Sequence, residues 1–190
     1  MTKVAVVFAN GCEEIEGLSV VDVLRRMGIE VTMVGLGSTD IMGAHQIKLT
    51  CDAIVDNELL NYDLVAFPGG RIGAENLRDS DELMELMNQR YSAGKWNAAM
   101  CAAPIAFARY GLLDDCDYTC FPGINEEIAQ VAPSAKFIER ITVVDEAKKI
   151  VTSRGPATAL AYAYQIAQVL GYDTKEIKHQ MLYDQYVETK

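Results

Sequence analysis

Val4-Ala5-Val6-Val7-Phe8-Ala9 is an unbroken apolar run rich in β-branched residues, the pattern of a parallel strand covered on both faces. Beyond the loop Asn10–Glu14, the apolar positions Ile15, Leu18, Val21, Val23 and Leu24 approximate helical spacing as far as Arg25-Arg26, with Gly28 as the stop. Glu30–Gly35 reads as a second strand. A βαβ unit of this kind imposes parallel strands and a right-handed crossover. Ile41–Cys51 reads as short strands around Gly43, and Leu64–Phe67 is another buried strand, ending at Pro68-Gly69-Gly70, after which helical signals resume. Ser80 is a candidate N-cap for a helix carrying Leu83, Met84, Leu86 and Met87. Asn97–Met100 is a short strand of small residues running into Cys101, and Pro104–Tyr110 is helical. Further strands are expected near Tyr118–Cys120, Ile141–Val144 and Ile150–Ser153. The Ala- and Tyr-rich run from Ala157 to Leu170 predicts a well-buried helix, and a more polar one follows from Thr174 towards Tyr186. Strands alternating with helices predict a doubly wound α/β sandwich, its central sheet mostly parallel and covered by helices on both faces. No repeat or linker interrupts the 190 residues, a length that fits one domain over 1–190.

A formal charge of −10 opposes binding to nucleic-acid phosphates or anionic lipid, so neither is expected as a partner. No run approaches the ~20 apolar residues of a membrane span. The opening run is shorter than a signal-peptide core and is closed by Asn10-Gly11 and Glu13-Glu14 rather than by a cleavage site. A cytoplasmic location is the expectation. The five cysteines, Cys12, Cys51, Cys101, Cys116 and Cys120, are scattered and never form a CxxC pair, which suggests neither a disulfide framework nor a zinc site. No metal or cofactor is expected, and no P-loop pattern is present.

Ligands of an open parallel sheet bind beyond the carboxyl ends of its strands. Three loops occupy such positions: 10–16 after the first strand, Pro68-Gly69-Gly70-Arg71, and Met100-Cys101-Ala102-Ala103-Pro104. The third has the form small-x-Cys-x-small through Ala99 and Ala103, comparable in physics to a nucleophile elbow. Pro104 suits the first turn of a helix, which places Cys101 beside a positive helix end and leads to the expectation of a lowered thiol pKa. The plainer alternative is a buried cysteine in an apolar stretch. Gly69-Gly70 lets backbone approach a ligand, and the N–H groups of Gly70 and Ala102 form a candidate oxyanion hole. A tight turn is the commoner use of such a pair. Among Glu13, Glu14 and Glu16, nothing in the residues alone singles one out.

In order and over nearly the whole chain, GCEEIE, DVLRRMGIEVTMVG, YDLVAFPGGRIGAENLRDS, AAMCAAP and VTSRGPAT resemble the ThiJ/PfpI superfamily, in the DJ-one branch of the parkinsonism-associated deglycase. The resemblance implies a flavodoxin-like sandwich that usually forms a homodimer. It also implies that Cys101 is the reactive cysteine and that Glu16, the last acidic residue of GCEEIE, meets it as a protonated acid that stabilises thiolate or its sulfinate product. Gly70 and Ala102 match the family's backbone oxyanion positions. Arg26 and Arg154 fall in VLRRMG and TSRGP, where family arginines lie near the site or the dimer contact, with surface or packing roles equally open.

Some members carry a histidine near the cysteine in the loop after the next strand; the comparable Tyr118-Thr119-Cys120-Phe121-Pro122 has Phe121 in that place. The protease-like branch puts histidine directly after the nucleophile, where this chain has Ala102, and His45 and His179 belong to other segments. Protease or amidotransferase chemistry is therefore disfavoured. Cys12 and Cys120 read either as resolving thiols or as inert residues. The implied activity is cofactor-free processing of reactive carbonyls: glyoxalase-like conversion of methylglyoxal to lactate, or removal of early glycation adducts, in protection against carbonyl and oxidative stress. The alternative is a redox sensor or chaperone that acts through oxidation of Cys101 by peroxide.

Overall fold

A computed structural model describes residues 1–188. The opening unit is β1 (Lys3–Phe8), α1 (Glu14–Arg26) and β2 (Glu30–Gly35). A hairpin of β3 (Asp40–Met42) and β4 (Lys48–Thr50) and the short β5 (Ala53–Ile54) lead to β6 (Leu64–Phe67), α2 (Arg71–Asp79), α3 (Asp81–Ser92), β7 (Trp96–Met100) and α4 (Pro104–Arg109). The chain continues through β8 (Asp117–Tyr118), α5 (Ile124–Val131), β9 (Lys136–Phe137), β10 (Thr142–Asp145), β11 (Ile150–Ser153), α6 (Ala159–Val169), α7 (Lys175–Gln180) and α8 (Tyr183–Glu188).

Seven strands form the main sheet in the order β10-β11-β7-β6-β1-β2-β5. All neighbours pair in parallel except β10, which closes one edge antiparallel to β11. The long parallel strands thus run β2-β1-β6-β7-β11, the flavodoxin-like order, and the crossover direction reverses between β1 and β6. From Val4 to Phe8, β1 is wholly buried, as is all of β6, which is why both read as continuous apolar runs. Helix α1 packs with α6, while α2 packs with α4 and α4 with α5. Right-handed crossovers in opposite directions from β1 put these two groups on opposite faces. Among the described residues no helix is long and apolar enough to cross a membrane.

The doubly wound α/β sandwich expected from the sequence is the fold observed, and each expected strand lies within two residues of an observed one. The polar helix expected from Thr174 towards Tyr186 is instead two helices, α7 and α8. They break at Leu182, whose φ of 59° lies in the left-handed region, where a non-glycine side chain crowds the backbone. The two-residue β5 and β9 are too short to carry a readable period.

At the amino ends of the strands a buried cation ties the layers together. Arg90 of α3 is 1% exposed, and its guanidinium donates to the carbonyls of Leu59, Tyr62 and Trp96 and to Asn97 Oδ1. Replacing it with methionine leaves these acceptors buried and unpaired, so Arg90→Met is expected to lower stability by about 3 kcal/mol or more. A shifted urea midpoint with an unchanged m-value is the signature; a midpoint equal to that of wild type would contradict this role.

Candidate active site

The carboxyl ends of β1, β6 and β7 deliver three loops to one place. After β1 the chain turns at Gly11, whose φ is 79°, and Glu13 caps α1, its Oε2 accepting the Glu16 N–H at 2.9 Å. The cap fixes the first turn of α1 so that Glu16 is fully buried. Its Oε2 accepts the Gly69 N–H from the β6 loop at 2.7 Å, while its Oε1 is buried with no hydrogen-bond partner. Burial pushes the Glu16 carboxyl up to about 7; the Gly69 N–H and the Cys101 thiol oppose the shift, and the charge of Glu13 adds to it.

Cys101 follows β7 with φ at 60°, the left-handed conformation of a nucleophile elbow. A non-glycine residue held there costs about 1–2 kcal/mol, and neighbouring backbone holds it. The Cys101 N–H donates to the Ser153 carbonyl at the end of β11 at 3.0 Å, and the Cys101 carbonyl accepts the Phe121 N–H at 2.9 Å. The N–H groups of Gly70 and Ala102 point at the sulfur.

Gly69 is what allows the acid and the thiol to meet. A Cβ on it would lie 2.6 Å from Cys101 Cβ, 2.7 Å from Glu16 Oε2 and 3.0 Å from the Ala102 nitrogen, so no larger residue fits between the loops. Gly70 is equally constrained: its φ is 81°, and a Cβ there would lie 2.4 Å from the Gly11 carbonyl oxygen. In sequence this pair reads as a turn or a ligand approach, not as a spacer between two side chains. No sequence signal marks Ser153 or Tyr162 of α6, whose buried hydroxyl has no hydrogen-bond partner and feels the charge of Glu16.

The expectation of a thiol pKa lowered by a helix end is corrected. Burial, then the Glu16 carboxylate, push the Cys101 thiol up to about 12, and the Gly70 and Ala102 N–H groups offset only part of this. Helix α4 is six residues long and the sulfur is buried beside an acid, so a weak terminal dipole works against desolvation and a like charge. The two groups cannot both be ionised at neutral pH. They titrate as a pair.

The remaining candidates have partners of their own. Arg26, ~15 Å along α1 from Glu16, is exposed and pairs with Asp22 at 2.7 Å. Arg154, next to Ser153, sits 3.4 Å from Glu139 and 5.9 Å from the Phe137 ring centroid, and its charge acts on the Cys120 thiol. Phe121 fixes the elbow through its backbone, with its side chain 45% exposed at the rim. Neither histidine supplies a base at the sulfur, since His45 rests on Glu14 and His179 on Asp184. All five cysteines are free, and burial pushes both Cys12 and Cys120 up to about 12.

The model of the DJ-1/PfpI family matches residues 2–169. The chain is 33% identical over 171 residues to Protein DJ-1 homolog B of Arabidopsis thaliana, covering 88% of this chain but spanning only 38% of that protein. It is 32% identical over 173 residues to Protein dj-1beta of Drosophila melanogaster, covering 90% of each. It is 26% identical over 159 residues to the Glutathione-independent glyoxalase DJR-1.2 of Caenorhabditis elegans, covering 83% of this chain and 82% of that one. Among solved structures, Drosophila melanogaster DJ-1beta superposes with a TM-score of 0.88 at 29% identity, covering 95% and 97% of the two chains. Oxidized Toxoplasma gondii DJ-1 superposes with a TM-score of 0.86 at 32% identity, covering 96% and 98%.

The buried pair has a consequence for stability. Glu16 titrates at about 7 in the folded chain against an ordinary 4.5, so between these values the folded state keeps a proton that the unfolded state has lost, and its stabilisation declines as pH rises. The contribution lost is about 3 kcal/mol. Glu16→Gln removes it, so the stability of the variant relative to wild type should rise between pH 4.5 and 7. Urea denaturation of both proteins across this range measures the difference; a pH-independent difference would contradict the assignment.

Proposed function

This chain belongs to the DJ-1/PfpI family, and from that premise we propose that it is a cofactor-free enzyme acting on small reactive carbonyls through Cys101 and Glu16. The observation that carries the reading is the buried Glu16 with Oε1 unpartnered, beside a thiol held in an elbow under two backbone N–H groups. We place the one shared proton on Glu16 Oε1 and the charge on sulfur, against the order that burial alone gives the two groups, the carboxyl at about 7 and the thiol at about 12. The donor count supports this: the sulfur has the Gly70 and Ala102 N–H groups, and the carboxyl has only that of Gly69.

With methylglyoxal as substrate, the thiolate attacks the aldehyde carbon, a C–S bond forms, and the carbonyl oxygen becomes an alkoxide that the same two N–H groups stabilise. Glu16 gives its proton to that oxygen, which leaves a hemithioacetal and a carboxylate. The carboxylate then removes the former aldehyde hydrogen, the resulting enediolate is reprotonated at the neighbouring carbon, and the product is a lactoyl thioester of Cys101. Water hydrolyses the thioester, releasing lactate and restoring the pair. The sum is methylglyoxal plus water giving lactate, with no redox partner. A relative that is 26% identical carries the name glutathione-independent glyoxalase, which supports this substrate class over peptide hydrolysis. Removal of early glycation adducts uses the same attack on a carbonyl-derived carbon. Assembly as a homodimer and a cytoplasmic location belong to the same proposal. D-lactate formation from methylglyoxal without glutathione is the test: Cys101→Ala should fall to background and Glu16→Gln by about 10²-fold or more. Wild type no faster than Cys101→Ala would contradict the assignment.

A second reading, a peroxide-responsive sensor or chaperone protecting against oxidative stress, uses the same pair. A relative that is 32% identical has been solved in an oxidised form, and that favours it. The thiolate takes one oxygen from hydrogen peroxide to give sulfenate and water, and a second equivalent gives sulfinate. Under mild peroxide, mass spectrometry should find two added oxygens at Cys101 before the other four thiols react; even oxidation of all five would contradict this reading.

A further inference from the structure

We propose that Tyr162 is a positioning residue of the acid–thiol pair: through one enclosed water, its hydroxyl supplies the donor that Glu16 Oε1 lacks once the Glu16 proton has gone to the substrate. Four buried side-chain polar atoms of the described residues have no hydrogen-bond partner, and two of them are Glu16 Oε1 and the Tyr162 hydroxyl. Both residues are fully buried. A buried polar atom without a partner is uncommon in a folded chain and costs stability, so it calls for a function or for a water shared with a second such atom.

The fold brings these two side chains to the same end of the sheet. Helix α1 follows β1 and α6 follows β11, so each starts near the carboxyl end of its strand, and the two pack together on one face. Glu16 is the third residue of α1 and Tyr162 the fourth of α6, which puts both near the level of the strand ends. Between β1 and β11 in the sheet lie β6 and β7, the strands that deliver Gly69 and Cys101. The first turns of α1 and α6 thus flank the strand ends where the pair sits. The other two unpartnered atoms, Thr119 Oγ1 and Arg154 Nη1, belong to the loops after β8 and β11.

Electrostatics agree. Burial, then the charge of Glu16, push the Tyr162 phenol well above its ordinary value. The titratable groups acting on Glu16 are Cys101 from the elbow and Glu13 from the cap of its own helix. Neither supplies a donor in the step that matters: by then the sulfur is bonded to carbon, and Glu13 is itself an acceptor, of the Glu16 N–H. When Glu16 has given its proton to the substrate oxygen, its carboxylate keeps one donor, the Gly69 N–H on Oε2, and a buried charge left partly unpaired is costly. A phenol that stays protonated remains a donor throughout, and it bonds a carboxylate more strongly than a carboxyl. The interaction therefore strengthens as the charge forms, which is the condition for lowering a barrier. The proposal rests on the carbonyl-processing reading for that step, though not for the contact itself.

In a Cys101→Ala background Glu16 titrates without the thiol, and its carboxyl band in infrared spectra, assigned by its loss in Glu16→Gln, follows the charge. Adding Tyr162→Phe, which keeps the ring and its packing, should raise that titration by about one pH unit, because the ionised form loses a donor. With Cys101 present, Tyr162→Phe should lower kcat for methylglyoxal about tenfold at unchanged KM, since the fully buried phenol does not touch substrate. A crystal structure should show one water within about 3.2 Å of both Glu16 Oε1 and the Tyr162 hydroxyl. An unchanged or lowered titration, as a purely packing role would give, an unchanged kcat in an active enzyme, or the lack of that water would each overturn the proposal. Wild type inactive towards methylglyoxal would overturn the carbonyl reading alone, because the titration is measured without turnover.

Discussion

Burial prevents a carboxyl and a thiol from being ionised together, and much of the architecture around the strand ends serves that one constraint. Glu16 is lifted to about 7 and Cys101 to about 12; between these values the pair carries one proton and one negative charge. The same apolar surroundings that raise both groups also strengthen the few hydrogen bonds that decide where the charge sits. Three backbone donors, from Gly69, Gly70 and Ala102, surround the pair.

The sheet order is what makes such a pair possible. Reversal of direction between β1 and β6 opens the crevice into which the α1 cap and the Pro68-Gly69-Gly70 turn both project, and β7 beside β6 brings Cys101 to the same level. The strain at Cys101 is carried by strands rather than by the site itself, since Ser153 at the end of β11 and the Phe121 backbone hold the residue at either side. Gly69 keeps the two side chains close enough to share a proton, and its glycine identity follows from that contact.

Much of this was readable in the sequence because it is local. The strands Glu30–Gly35, Leu64–Phe67 and Ile150–Ser153 appear with the bounds that their apolar runs indicate, and small-x-Cys-x-small marks a backbone elbow without reference to the rest of the fold. The choice of Glu16 over Glu13 and Glu14 was not local, since it rests on a hydrogen bond to a residue 53 positions away; only the family resemblance reached it. The direction of the thiol shift is not legible in sequence, because a helix start shows there whereas the burial of the sulfur beside the Glu16 carboxyl does not. Arg26 shares a block with family site residues, yet in the folded chain it ends a helix that begins at the site. His45 meets Glu14 across 31 positions because the hairpin folds over the loop after β1.

The central claim, that Glu16 acts as an acid toward a charged sulfur, has a direct measurement: the pH dependence of Cys101 alkylation, followed by mass spectrometry in wild type and in Glu16→Gln. The pair loses its first proton at about 7, so if Glu16 holds the proton that remains, Cys101 alkylation in wild type rises through that range, and Glu16→Gln moves the rise upward. A wild-type titration at or above 9.0, or a downward move in Glu16→Gln, would mean that the carboxyl bears the charge and that the account is wrong.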